Sequence, residues 1–399
     1  MDSQEATSSP DQALVTEFAG SRWRLFWLAL KTGTFTVLTL GFYRFWMKTR
    51  LRRWYWSAIR PGGVPLEYTG DPVEKLLGFL LAVVILAFYI GVVNLLLMFA
   101  SFSLFQGNFT AYLLSFIGVI PLWFFARYRA RRYILARTRW RGLRLGLEKG
   151  AWGYAGRAIW HWALTILTLG LLWPRMTYWL EKYRTDRTFY GSVRLNQGGN
   201  WKMLFRYLWH PAIGGASSGL LIFVADEMQN VGVLYLLFIT LPWLGFGLAH
   251  YKAHSFRLLT ECKSAGGVEF RAAPRPWRIF GIYLFGYGIA AIGIAVLLVG
   301  LLFLLVIAAA GATTGDLEKL VSALPNWILT LSGMGLYFSV FLLWSALTHT
   351  FVTMPLIRHF AETLTVVNPQ ALGRISQRPR DEFAEAEGFA EALDVGAAI

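Results

Sequence analysis

One cysteine, Cys262, occurs in 399 residues, so neither an intramolecular disulfide nor a cysteine-based metal cluster can form. Charge is also scarce: Asp, Glu, Lys and Arg make up 15% of the chain, against about 25% in ordinary soluble domains. The acidic sign is the rarer one, 23 residues against 38 basic, for a formal net charge of +15. No P-loop and no G-x-G-x-x-G dinucleotide fingerprint is present, and no cofactor is implied. These absences argue against an enzyme acting by itself.

A basic balance of this size points to nucleic acid in a soluble protein. Here the Lys and Arg residues lie beside apolar runs, among Trp and Tyr. That is the composition of cytoplasmic loops and interfacial belts, so the expected partners are membrane lipids with anionic headgroups, and not nucleic acid. The runs Leu76 to Ser101, Phe109 to Ala126, Val231 to Ala249, Arg278 to Ala310 and Trp327 to Val352 approach or exceed the length that crosses a bilayer, about 20 residues. Residues 1–17 are polar without a basic leader region, so a disordered N-terminus and no cleavable signal peptide are expected. Residues 370–399, rich in Ala and Glu, read as a mobile tail.

Counting every apolar segment as a span gives eight, with Leu25 to Trp46, Ala155 to Trp173 and Met203 to Ala225 added. With the N-terminus inside, that count puts outside the seven basic residues of 42–75 and the nine of 127–154. This violates the positive-inside tendency. The violation disappears if two segments, TVLTLGFYRFW (36–46) and TILTLGLLWPR (165–175), enter and leave by one side. The expected fold is therefore an α-helical polytopic membrane protein with six full spans in three hairpins. Two re-entrant or interfacial TLG helices and a small cytoplasmic β-assembly complete it. Thr39, Gly41, Thr168 and Gly170 mark the re-entrant breaks, glycine suiting a helix C-terminus and threonine hydroxyls covering freed backbone groups.

An internal repeat underlies this division. At an offset of 129 residues, Thr36, Leu38, Thr39, Leu40, Gly41 and Met47 match Thr165, Leu167, Thr168, Leu169, Gly170 and Met176. The first repeat covers 18–151 with hairpin 76–126, and the second covers 152–275 with hairpin 203–249. The third hairpin and a final cytoplasmic element fill 276–369. After each membrane exit comes a basic aromatic helix, then glycine, then alternating apolar residues: Val64, Leu66, Tyr68; Leu143, Leu145, Leu147; Val193, Leu195; Val268, Phe270. A fifth case, Leu364 and Val366, lacks the glycine. Period two predicts short strands, up to five in number, pairing beneath the membrane with both chain ends cytoplasmic.

Phe18-Ala19-Gly20, the TLTLG box, Glu67-Tyr68-Thr69-Gly70-Asp71-Pro72, RYRARRY with Thr138-Arg139-Trp140-Arg141-Gly142-Leu143, and the second TLGL recur in order. Over residues 18 to 367 the chain resembles the YjgN family of bacterial inner-membrane proteins, which carry a domain of unknown function. The WPRMTYW exit of the second copy and the C-terminal tail depart from the family pattern. The resemblance implies inner-membrane localisation and topology, without a substrate or catalytic residue. It also suggests a membrane-associated zinc metallopeptidase as partner.

Polar residues within apolar segments are the ligand-binding candidates, because burying them in lipid is costly. Lys202, Arg206 and His210 recur every four residues and read as one helical stripe, followed by Pro211 and the small-residue run GGASSG (214–219). Asn94 lies late in the first full span, and Lys31 and Arg44 bracket the first TLG segment. His250 and His254 share a helical face, but Tyr251 stands where a zincin has its glutamate, so they are weak metal candidates and no metal site is assigned. The expected function is transport or lipid handling of an anionic solute or lipid. The alternative is a scaffold that recruits a membrane protein partner such as the metallopeptidase.

Overall fold

Two-residue turns set the architecture. Gly62-Gly63, Arg141-Gly142 and Gly266-Gly267 have positive φ at both central positions, the type I′ geometry whose twist suits a β-hairpin. Gly191-Ser192 turns at the equivalent place in a fourth hairpin. The computed structural model describes residues 13–105, 109–311 and 325–378. The four turns join β2 (Ile59–Pro61) to β3 (Leu66–Tyr68), β4 (Thr138–Trp140) to β5 (Leu143–Leu147), β6 (Thr188–Tyr190) to β7 (Val193–Gln197), and β8 (Lys263–Ala265) to β9 (Val268–Ala272). A fifth pair comes from opposite ends of the chain: β1 (Leu14–Phe18) lies antiparallel to β10 (Leu364–Val367), with Leu14 opposite Val366.

Each pair then bonds to the next, giving a ten-stranded antiparallel sheet in the order β2-β1-β10-β9-β8-β7-β6-β5-β4-β3. The sheet curls into a nearly closed barrel whose ladder ends fall at β2 and β3. Proline explains the break. Pro61 stands opposite Val64 at the turn and has no N–H to give, and Pro65 follows directly. Only a long Val64 N–H to Pro61 carbonyl contact of 3.4 Å bridges the position.

Alternation sorts the side chains by face. Arg144, Arg194, Glu269 and Arg271 point outward and are exposed. Trp140, Tyr190, Val268 and Val366 are buried in a common cluster, with Leu143, Leu145, Val193, Leu195 and Phe270 packed against it. One end of this core is stoppered by the chain itself. A 3-10 helix, Pro369–Arg374, and the residues after it insert Ala371, Leu372 and Ile375 into the cluster. Asn368 Nδ2 donates to the Gly267 carbonyl, and Ser192 N–H donates to the Ser376 carbonyl. Glycine at 191 is required there, because a Cβ would lie 2.5 Å from the Ser376 carbonyl oxygen.

Five helical excursions separate the strand pairs. They are α1 (Arg22–Leu38) with α2 (Arg44–Ala58); α3 (Pro72–Phe105) with α4 (Phe109–Ala136); and α5 (Ala151–Leu167) with α6 (Trp173–Thr185). The fourth is α7 (Lys202–Phe205), α8 (Trp209–Glu227) and α9 (Leu237–Glu261), and the last is α10 (Pro276–Gly311), α11 (Asn326–Thr348) and α12 (Met354–Glu362). The described chain falls into two compact units. One holds the sheet with α3 to α9, and the other holds residues 20–55 and 278–359. In the second unit the Tyr55 hydroxyl donates to the His349 carbonyl at 3.2 Å, where α11 passes into a π turn, His349–Thr353.

These observations correct the expected fold. The β-assembly has ten strands where up to five were expected, since the four glycine repeats each supply a strand on both sides of the glycine and β1 pairs with β10. β1 also begins within the stretch read as a disordered N-terminus (1–17), and the 3-10 stopper lies partly within the stretch read as a mobile tail. Six full spans are not found. Among the described residues three helices are long and apolar enough to cross a membrane: Val231–Glu261, Pro276–Phe303 and Thr330–Glu362. The expected span 203–225 fails because it is broken after Phe205, and because α8 opens with His210 and Pro211 and carries four polar or glycine positions from Gly214 to Ser218. Those three helices associate the chain with a membrane.

Candidate functional site

The closest approach of α8 to α9 begins with glycine. A Cβ on Gly247 would lie 2.6 Å from the Pro211 nitrogen, and one on Gly214 would lie 2.8 Å from Leu244 Cα. Small residues let helix backbones meet in this way. Ser218 Oγ donates to Thr240 Oγ1 at 2.9 Å and fastens the same pair farther along. Less than a turn beyond Gly247 stands His250, and the contact brings it against His210 with ring centroids 4.7 Å apart.

The cluster grows from there. His250 lies 4.4 Å from His254, and His254 stacks on Tyr207 at 4.2 Å with the planes 10° apart. The Arg206 guanidinium covers the Tyr207 ring at 5.3 Å. Phe246 closes the other side, 5.8 Å from His210 and 4.2 Å from Trp277. The arrangement is one continuous row from Arg206 through three imidazoles to Trp277. Nearby Glu261 is engaged by Arg257 at 2.9 Å, and among the described residues Arg206 makes no ion pair. The Nδ1 atoms of His210 and His250 are buried and have no hydrogen-bond partner. Such a group costs about 1–3 kcal/mol until a polar partner arrives.

The sequence candidates divide accordingly. Arg206 and His210 join His250 and His254 in one place, although the stripe is not one helix: α7 ends at Phe205 and α8 starts at Trp209. Lys202 is exposed at the start of α7. Lys31 is exposed on α1 and Arg44 is the first residue of α2. Asn94 lies on α3, with its side chain outside the described residues. Tyr207, Phe246 and Trp277 were missed. Three histidine rings in a row do not make a metal centre, and among the described residues no group of three or more His, Cys, Asp or Glu is placed to hold an ion. Gly215-Ala216-Ser217-Ser218-Gly219 has the letters of a nucleophile elbow, but it lies inside α8, with Ser217 bonded to the Gly214 carbonyl. An elbow requires a strand-to-helix turn.

A second charged assembly, also missed, ties helices to the sheet. Glu181 on α6 accepts from Lys263 on β8 at 2.7 Å and from Arg184 at 2.6 Å. Burial pushes its carboxyl up, but Lys263, Arg184 and Arg131 outweigh that and hold it well below the ordinary carboxylate range. Gln197, fully buried on β7, donates through Nε2 to the Leu259 carbonyl of α9. The Glu181 carboxylate is taken up by partners within the protein, and the network reads as a structural clamp.

The four TLG residues fall at two tight helix–helix turns. Thr39 and Thr168 are C-cap residues, and Leu40-Gly41 and Leu169-Gly170 have positive φ. Matched to known families, the chain fits a bacterial protein family of unknown function (DUF898) over residues 13–390, and it belongs to that family, the YjgN family. No curated protein and no solved structure matches it.

Proposed function

We propose that this YjgN-family protein is a multi-pass protein of the bacterial inner membrane that binds an anionic phosphate-bearing headgroup at the Arg206–His250 cluster and handles that lipid. The observation that carries the reading is the row itself: an unpaired guanidinium, three imidazoles with two unpartnered buried Nδ1 atoms, and no carboxylate among them. Such a row favours an anion and offers N–H donors to it. The cluster lies toward the polar end of Val231–Glu261, where a headgroup would stand while its chains lie along the apolar portion. Excess positive charge favours the cytoplasmic side for the sheet and for both chain ends.

Reconstitution tests the handling. Purified protein in vesicles carrying trace fluorescent phosphatidylglycerol should speed its exchange between leaflets, and Arg206→Ala should abolish most of that gain. A protein that binds the lipid without moving it favours the scaffold. Equal exchange by the Arg206→Ala protein contradicts the assignment of the site.

A further inference from the structure

The two TLG turns have a feature that a turn in water does not need. In the first, each N–H from Thr39 to Arg44 has an acceptor inside the turn. Thr39 bonds to Phe35, Leu40 to Val37, Gly41 to Thr36, Phe42 to Thr39 and Arg44 to Gly41, all through backbone carbonyls. The remaining one, Tyr43 N–H, is taken by the Thr39 hydroxyl at 2.9 Å. The second turn repeats this donor by donor. Thr168 bonds to Leu164, Leu169 to Ile166, Gly170 to Thr165, Leu171 to Thr168 and Trp173 to Gly170, with Leu172 N–H on the Thr168 hydroxyl at 3.2 Å. A solvated turn can leave such donors to water. Backbone in hydrocarbon must satisfy them internally.

The side chains at the tips agree. Leu40 is 90% exposed and Leu169 is 95% exposed, the most open large apolar side chains among the described residues. Both sit at positive φ, 50° and 49°, which costs a branched side chain roughly 1–2 kcal/mol. The outward face of α5 is apolar toward the tip: Trp160, Trp162, Ile166 and Leu167 are exposed, with Arg157 exposed nearer the helix start, while Tyr154, Ala155, Ala158, His161 and Thr165 are buried on the other side. α1 likewise exposes Trp27, Phe35 and Leu38, with Lys31 the exposed charge between them.

Each tip stands the same distance from a tryptophan anchor. Trp23 is the second residue of α1 and Trp152 the second of α5; both are exposed, beside Arg22 and Arg24 or near Lys149. Tryptophan and basic residues gather at the headgroup level. Each helix has 17 residues, or about 25 Å at 1.5 Å per residue, against a hydrocarbon core of about 30 Å.

We infer that each TLG hairpin is a lipid wedge: its tryptophan rests among headgroups, and its leucine tip inserts into the acyl chains near or past the bilayer midplane. The occupant of the exposed apolar face is thus the acyl-chain region of a bilayer with anionic headgroups at its surface. The inference rests on the membrane placement proposed above and is independent of the anion site.

Depth measurement tests it. In a Cys262→Ser background, single cysteines at Leu40→Cys and Leu169→Cys are labelled in detergent with an environment-sensitive fluorophore and reconstituted into vesicles containing mid-chain doxyl lipids. Leu241→Cys on α9 serves as the in-membrane reference and Arg141→Cys in a sheet turn as the aqueous one. The wedge predicts blue-shifted emission and quenching at both tips equal to the Leu241 position. It also predicts no reaction of the unlabelled cysteines with an impermeant maleimide. Water-like emission at the tips with Leu241 still quenched overturns the wedge alone. Water-like emission at Leu241 as well overturns the membrane placement. If a tip variant does not fold, Phe42→Cys and Leu171→Cys, the adjacent exposed positions, carry the same label and the same readings.

Discussion

The backbone nitrogen of Pro211 lies where the Cβ of any residue other than glycine at 247 would have to be, 2.6 Å away. Because His210 and His250 flank that contact, the histidine row depends on it. Gly247→Ala should push α8 from α9, cost about 1–3 kcal/mol, and weaken anionic-lipid binding while the sheet stays folded. Thermal unfolding in detergent, paired with a lipid-binding titration, checks both effects.

Glu181 should be the largest single contributor to the attachment of α6 to the sheet. Glu181→Gln leaves Lys263, Arg184 and Arg131 facing one another without a carboxylate. Removing one member of a buried ion pair costs about 3–5 kcal/mol, read as a lowered unfolding midpoint.

The same residue sets an acid limit. Its carboxyl titrates well below the ordinary glutamate value of 4.5 when folded. The stability it contributes is therefore complete above that value and is lost as pH falls through the folded one. Unfolding midpoints measured from pH 7 down to pH 3 should drop in the acid range for the wild type. Glu181→Gln should flatten the part of that slope owed to residue 181.

Residues 371–375 should behave as core, despite their place near the end of the chain. Leu372→Ala opens the stoppered end of the sheet and should cost about 2–5 kcal/mol. Hydrogen exchange should quicken at β6 to β10. Exchange confined to residues 368–378 would mean that the sheet does not rely on its stopper.

Much of the sheet was legible, and the rest was hidden for definite reasons. Strands after the glycines showed their alternation, as at Leu143, Leu145 and Leu147. Strands before them, such as Thr188–Tyr190, have three residues, too few to show a period, and they continue basic helices without a composition change. The element at Leu364 lacked its glycine because its partner strand is β1, from the far end of the chain, so no turn joins them. The TLG turns were readable from Thr and Gly. The site was readable only in halves: Arg206 with His210, and His250 with His254. Their convergence depends on Gly247 and on the close packing of the consecutive helices α8 and α9, which residue patterns within one helix do not record. The six-span expectation treated apolar length as enough, and the break at 206–208 with Pro211 shows why it is not.

Binding of an anionic headgroup at the Arg206–His250 row is the central claim, and native mass spectrometry from nanodiscs tests it most directly. Nanodiscs of mixed phosphatidylcholine and phosphatidylglycerol should release the wild-type protein with phosphatidylglycerol retained in excess of its bulk share. Arg206→Ala should lower that affinity about tenfold or more, the loss of one charge-assisted hydrogen bond. His250→Ala should lower it as well. Retention of both lipids in bulk proportion by the wild type, or an unchanged excess in Arg206→Ala, would contradict the account.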